Sequence, residues 1–225
     1  MRAARSRRLS GDGVITSSVL AQFYQLGYKF CLRYLSWGEP PPEDLSDQEA
    51  ADILNSGLAL MPVQHTRDRG WSPNQSLGER YGQSAGANAQ SAGANAQSVG
   101  FPAGVNVWCD LEGVNPSAPV QEVMDYCKAW HQAVNAAGYV PGVYVGSAAG
   151  LTGQQLYELP FEHYWRSPSD VPDIPTRGYQ LLQLYPSISV NGIFIDIDVG
   201  QNDKLGGHPL WLRVGAGSLG SRGQR

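Results

Sequence analysis

The chain has 225 residues, 42% hydrophobic and only 16% charged, with a formal net charge of −4; such a chain buries a full core more readily as one large domain than as two small ones. Sixteen Lys and Arg are outnumbered by twenty Asp and Glu, which argues against a nucleic-acid or anionic-membrane surface. No apolar run is long enough to span a bilayer. Three cysteines, Cys31, Cys109 and Cys127, fall within predicted strands or a helix without metal-like pairing, so reduced core thiols are expected rather than a disulfide framework.

The basic start, MRAARSRRL, resembles the opening of an export signal, and Ser6-Arg7-Arg8 resembles a twin-arginine one. No apolar stretch follows it, so a complete signal peptide is not read here. Residues 17 to 26 are predicted helical and YKFCLRYLS (28 to 36) a strand. After a proline-rich turn comes LSDQEAADILNSG, where Ser46 and Glu49 form a capping-box pattern and Gly57 is a stop signal. LALMPVQH (58 to 65) and VNVWCDLE are strands, residues 117 to 137 a helix ending at Gly138, and GVYVGS (142 to 147) a strand. LTGQQLYEL (151 to 159) is a short helix, followed by the strands HYWRS (163 to 167), YQLLQLY (179 to 185) and GIFIDID (192 to 198). An eighth strand is read in GDGVI (11 to 15), on two apolar residues only.

Strands that alternate with helices predict parallel strands joined by crossovers. The expected fold is α/β: a single-domain, compact or partly degenerate (β/α)8-type TIM barrel over residues 11–212, preceded by a basic segment at 1–10 and followed by a flexible, glycine-rich tail at 213–225. A doubly wound sheet alternates in the same way, but the glycine-rich phosphate fingerprint it often carries is missing, and no cofactor is expected. Between the third and fourth predicted strands SAGANAQ occurs twice in succession, at 84 to 90 and 91 to 97. Seven residues are close to two helical turns, so the duplication predicts one helix from Leu77 to Val99; Gly86 and Gly93 make a flexible linker the alternative.

Side chains alternate along a strand. Asn106, Trp108, Asp110 and Glu112 therefore share one face, while Val107, Cys109 and Leu111 share the other. In the last strand Phe194, Asp196 and Asp198 oppose Ile193, Ile195 and Ile197. Two strands thus aim four carboxylates at the barrel axis, and the first pair sits at a strand's carboxyl end, where (β/α)8 enzymes place their chemistry. His65 ends its strand as a pocket residue. Arg33, inside an otherwise apolar strand, is expected to pair with an inner carboxylate. Trp37, Trp71, Trp108, Trp165, Tyr144 and Tyr185 lie on or just after strands, where aromatic faces suit stacking on sugar rings or core packing.

The order FCLRYLS, LSDQEAADILNSGLALMPVQ, VNVWCDLEG, AGYVPGVYVGS, LLQLYP and IFIDIDVG resembles a bacterial glycoside-hydrolase-like domain of unknown function. That domain is itself similar to the glycoside hydrolase family 25 lysozymes, muramidases built on a shortened (β/α) barrel. The resemblance runs from about residue 11 to residue 200. It implies Glu112 as general acid, Asp110 as the neighbour that assists the substrate's N-acetyl group, and Asp196, after Gln183, as the acid of the last strand. The family's first-strand aspartate is matched only by Asp12, which precedes its apolar residues instead of following them. The implied substrate is an N-acetylated glycan such as peptidoglycan, handled by a monomer in the cell envelope or outside the cell. Arg33, His65, Trp108, Tyr144, Trp165, Gln183 and Asp198 complete the expected substrate-binding set. Carboxylates crowded into one mouth repel, which keeps one of them protonated, as glycoside cleavage requires. Two alternatives stand beside this one: a binding barrel without turnover, and a metal-dependent hydrolase using Asp110, Glu112, Asp196, Asp198 and His65.

Overall fold

The computed structural model describes residues 2–6, 15, 17–35, 44–64, 68–91, 100–190 and 192–214, with 2–6 and Ser91 described by backbone alone. In chain order its elements are β1 (Arg2–Ser6), α1 (Ser17–Gln25), β2 (Phe30–Leu35), α2 (Asp47–Asn55), β3 (Ala59–Gln64), α3 (Gln75–Ser91), β4 (Asn106–Leu111), α4 (Val120–Ala136), β5 (Val140–Val145), α5 (Gly153–Glu158), β6 (His163–Arg166), β7 (Leu181–Val190) and β8 (Ile193–Gly200). The result is a mixed α/β domain around one curled sheet. Strands β1 to β7 pair in chain order, all parallel, and β8 closes the sheet by pairing antiparallel with both β7 and β1.

Two expectations are corrected here. Eight parallel strands were read from the alternation, but β8 runs the other way: it follows β7 after residues 191 and 192 only, and so short a connection joins antiparallel strands alone. The first strand is Arg2–Ser6, inside the basic start, so the sheet begins at residue 2 and not at 11. Residues 11–14, Asp12 among them, lie outside the described residues, and Ile15 is buried in the layer between sheet and helices.

The expected parity holds. Cys31, Leu35, Val107, Cys109, Leu111, Val143, Val145 and Ile195 pack outward under the helices, while Phe30, Leu32, Met61, Val63, Trp108, Tyr144, Trp165 and Leu181 fill the interior. Arg33 follows its parity outward. It pairs with Glu49 of α2 at 2.9 Å, both side chains buried, so the inner partner expected for it is replaced by one in the helix layer. Ser46 still caps α2 by accepting from the Glu49 amide; the Glu49 carboxylate serves Arg33 instead of completing the box.

Helix α3 packs along α4 through Gly78, Gly82 and Gly86. A Cβ at Gly78 would lie 2.2 Å from the Tyr126 carbonyl oxygen, and one at Gly82 would lie 2.6 Å from that of Trp130. These glycines set the helix–helix distance, so the first SAGANAQ copy is a packed helix and not a linker. The helix predicted to reach Val99 is described to Ser91; residues 92–99 lie outside the described residues.

The N-terminal ends of the parallel strands are closed by the chain after β8. The Asp203 carboxylate accepts from Arg177 (3.0 Å), Gln180 (2.6 Å) and the amides of Leu205 (2.9 Å) and Gly207 (2.7 Å). Leu210 donates its amide to the Asn106 side chain at 2.6 Å, Trp211 stacks on Phe30, and Leu212 bridges to Leu60. Of the tail expected at 213–225, Arg213 and Val214 are exposed and residues 215–225 lie outside the described residues.

Candidate active site

At the opposite end, β4 and β5 run side by side with Trp108 paired to Gly142 and Asp110 to Tyr144. The pattern is large against small. A Cβ at Gly142 would meet the Trp108 ring at 2.5 Å, and a Cβ at Gly146 would lie 2.3 Å from the Glu112 Cβ. The two inward glycines of VPGVYVG are thus the seats of Trp108 and Glu112. Glu112 is half-buried just past the end of β4, and its carbonyl accepts from the Trp71 indole N–H at 2.8 Å. The amides of Gly113 and Val114 donate to the carbonyls of Ser147 (2.8 Å) and Ala148 (3.0 Å), so three contacts pin the backbone that carries this acid.

Asp110 is buried one inward step below, with the Tyr34 hydroxyl 3.4 Å from its Oδ2. From its register partner Tyr144 a polar line crosses the interior. The Tyr144 hydroxyl donates to Gln183 Oε1 at 2.7 Å, Gln183 Nε2 donates to Asp196 Oδ2 at 2.6 Å, and the Ser187 hydroxyl donates to Asp196 Oδ1. Asp110, Glu112, Tyr144, Gln183 and Asp196 therefore form one inward constellation at the carboxyl end of the parallel strands. Gln183 fixes the orientation of Asp196 while Tyr144 fixes that of Gln183, so the last-strand acid is held by groups from β5 and β7.

The remaining expected site residues separate from it. Because β8 is reversed, Asp198 lies deeper than Asp196; it is buried and accepts from Trp165 Nε1 at 2.8 Å. Trp108 and Trp165 are fully buried and meet edge to face, and Tyr144 packs against Trp165 at 4.5 Å between ring centres. Neither tryptophan offers a free ring to a sugar; they are the floor of the site. Arg33 belongs to the helix layer, while His65, Trp37 and Asp12 lie outside the described residues. Among the described residues no three His, Cys, Asp or Glu side chains are grouped so as to hold a metal ion.

Tyr34 and Ser187 are the site residues that sequence reasoning missed. Tyr34 shares the parity of Phe30 and Leu32, which was a usable signal. Ser187 carried none: it reaches Asp196 through the register shift between Leu184 and Ile188. Beside them the β7–β8 hairpin exposes Tyr185 (84%) and Phe194 (45%).

The family described as Rv2525c-like, glycoside hydrolase-like domain matches residues 21–199. This chain belongs to that family. Among solved structures, the Rv2525c-like chain is similar to the Mycobacterium tuberculosis Tat-secreted protein Rv2525c in complex with L-tartrate, at 15% identity and TM-score 0.64, over 89% of this chain and 95% of that one. It is similar to the bacterial lysozyme from Streptomyces coelicolor at 11% identity and TM-score 0.59, over 89% and 92%. The Clostridium perfringens spore cortex lytic enzyme SleM matches at 11% identity and TM-score 0.58, over 89% and 67%. A search of curated proteins finds no match. At these identities the structural likeness establishes the fold, and the chemistry is argued from this chain's own residues.

Proposed function

We propose that this Rv2525c-like domain is a glycoside hydrolase, on a (β/α)-type barrel with a reversed last strand, that cleaves an N-acetylated cell-wall glycan. The observation that carries the reading is the constellation of Glu112 above Asp110 and Asp196. Glycoside cleavage needs an acid to protonate the leaving oxygen and a group to stabilise positive charge at the anomeric carbon. Glu112 is the partly exposed member, at the end of its strand, and so the one that can reach a glycosidic oxygen. Asp110 lies one inward step deeper, ~7 Å back along the strand. There it orients the acetamido group of a substrate that assists its own cleavage, one of the known departures from the two-carboxylate scheme. Asp196, held by Gln183 and Ser187, is the fixed negative charge facing the sugar from the far wall. The lysozyme and the cortex-lytic enzyme that share the fold support a peptidoglycan-like substrate and action in the cell envelope or outside the cell.

A second reading, a glycan-binding barrel without turnover, is favoured by one observation: β1, RAARS, carries no carboxylate, so the fourth acid implied by the family resemblance is not on the first strand. Reducing-sugar release from peptidoglycan and from chitin-like oligomers separates the two. Glu112→Gln should lower the rate by on the order of 10² to 10⁴ with an unchanged circular dichroism spectrum. Equal turnover by wild type and Glu112→Gln sinks the assignment. Tight glycan binding without turnover by the wild type transfers the conclusion to the binding barrel.

A further inference from the structure

Past the carboxyl end of β4 the sheet continues as three short stretches, and the middle one carries Glu112. Where β2 and β3, and β4 and β5, pair along their length, β3 and β4 meet at Val63 and Trp108. The chain after β3 then returns to close this seam. The Gly70 amide donates to the Gly113 carbonyl at 2.7 Å, the Asn115 amide donates to the Trp71 carbonyl at 2.8 Å, and Trp71 bridges in parallel to Val114. On the other flank the amides of Gly113 and Val114 reach Ser147 and Ala148.

The peptide unit that joins Glu112 to Gly113 is therefore held at both ends. Its carbonyl accepts from Trp71 Nε1 at 2.8 Å, and its N–H donates to the Ser147 carbonyl at 2.8 Å. This unit is also well able to turn over, because Gly113 sits at φ +64° and glycine takes φ of either sign about equally readily. A flip of the peptide plane would reverse the carbonyl and the N–H, break both bonds and loosen the strand end that carries the acid. The backbone pairing of 70–72 with 113–115 closes the seam without help from the indole. The indole N–H adds a bond to the one carbonyl that a flip would carry away, and its ring is braced edge to face on Tyr126 of α4, 5.0 Å between ring centres.

We infer that Trp71 is a positioning residue: its indole N–H locks the Glu112–Gly113 peptide in one orientation and so holds the Glu112 side chain in its seat against Gly146. The inference rests on the glycoside-hydrolase reading above and extends it from the acid to the residue that fixes the acid. Trp71 acts through the Glu112 backbone and not on the substrate.

Trp71→Phe keeps a ring against Tyr126 and removes the N–H. On a soluble chitin-like or peptidoglycan oligomer its kcat should fall about fivefold, the usual worth of one hydrogen bond, with KM changed by less than about twofold. Amide relaxation dispersion at Gly113, quiet in wild type, should report exchange in the variant. Replacing Trp71 by its benzothiophene analogue, which puts sulfur in place of the N–H within the same ring system, should act alike; it decides the matter if circular dichroism finds Trp71→Phe unfolded. Unaltered kcat, or a fall in Tm with no exchange at Gly113, overturns the lock and leaves Glu112 standing as the acid. Absence of turnover by wild type overturns the glycoside-hydrolase reading and the positioning role with it.

Discussion

The two ends of the sheet are built from the same inward parity and reach opposite outcomes. At the N-terminal ends of the parallel strands, the Asp203 carboxylate has four donors and residues 203–212 cover the interior. At the carboxyl ends Asp110 has one long contact from Tyr34 among its interactions, and Glu112 is half-buried beside a cavity. A fully bonded buried carboxylate stabilises a fold but has no capacity left for a substrate. Asp203 serves the fold, whereas Glu112 and Asp110 are the acids that the proposed function uses.

The comparison breaks most sharply at Asp203. Asp203→Ala leaves Arg177 and Gln180 without the carboxylate they share, only the Glu162 carbonyl remaining to both, and should lower unfolding free energy by about 3 to 5 kcal/mol in urea titration. Glu112→Gln should change it by less than about 0.5 kcal/mol. A stability loss at Glu112 matching that at Asp203 would erase the distinction between the two ends.

The closed end also predicts a pH dependence. Burial pushes the His163 imidazole down from 6.5 to about 4, so between those values the unfolded chain binds a proton that the folded chain excludes. Stability from this group is intact above pH 6.5 and lost as pH falls to about 4, amounting to about 3 kcal/mol. His163→Gln should flatten the fall in unfolding free energy between pH 6.5 and 4 relative to wild type.

Two variants sharpen the other end. Gly146→Ala inserts a methyl into the seat of Glu112 without altering any charge. Displacing a catalytic group by about 1 Å typically costs about 10²-fold, and turnover should fall by that order while Gly200→Ala, at the other end of the sheet and with ordinary contacts of 3.6 Å or more to the added group, leaves turnover unaltered. Tyr34→Phe removes a long hydrogen bond to Asp110 and should slow turnover by less than about tenfold. A larger loss would show that the Tyr34 hydroxyl contacts substrate.

Local pattern carried the strands that have a strong apolar face. β2 to β8 were all readable, and so was the split between Val107, Cys109, Leu111 and Trp108, Asp110, Glu112, because period-two alternation depends only on the strand itself. Helices α1, α2 and α4 followed from periodicity and stop signals such as Gly57 and Gly138. The reversal of β8 had a local signal that the sequence reading did not use: Asn191-Gly192 between two strands is a hairpin dipeptide.

What local pattern could not supply were relations between distant segments. RAARS has no apolar alternation and becomes β1 only because β2 and β8 offer it hydrogen-bonding edges. Arg33 looked like a site residue until α2 delivered Glu49 to the outer face. Gly86 reads equally well as a linker residue or a contact residue; only the approach of Ala137 makes it the second. The sequence by itself determined which side chains share a face, because that follows from strand geometry within a few residues. Tertiary structure alone decided which faces meet and which groups gather around each buried acid, because those outcomes depend on contacts between residues far apart in the chain.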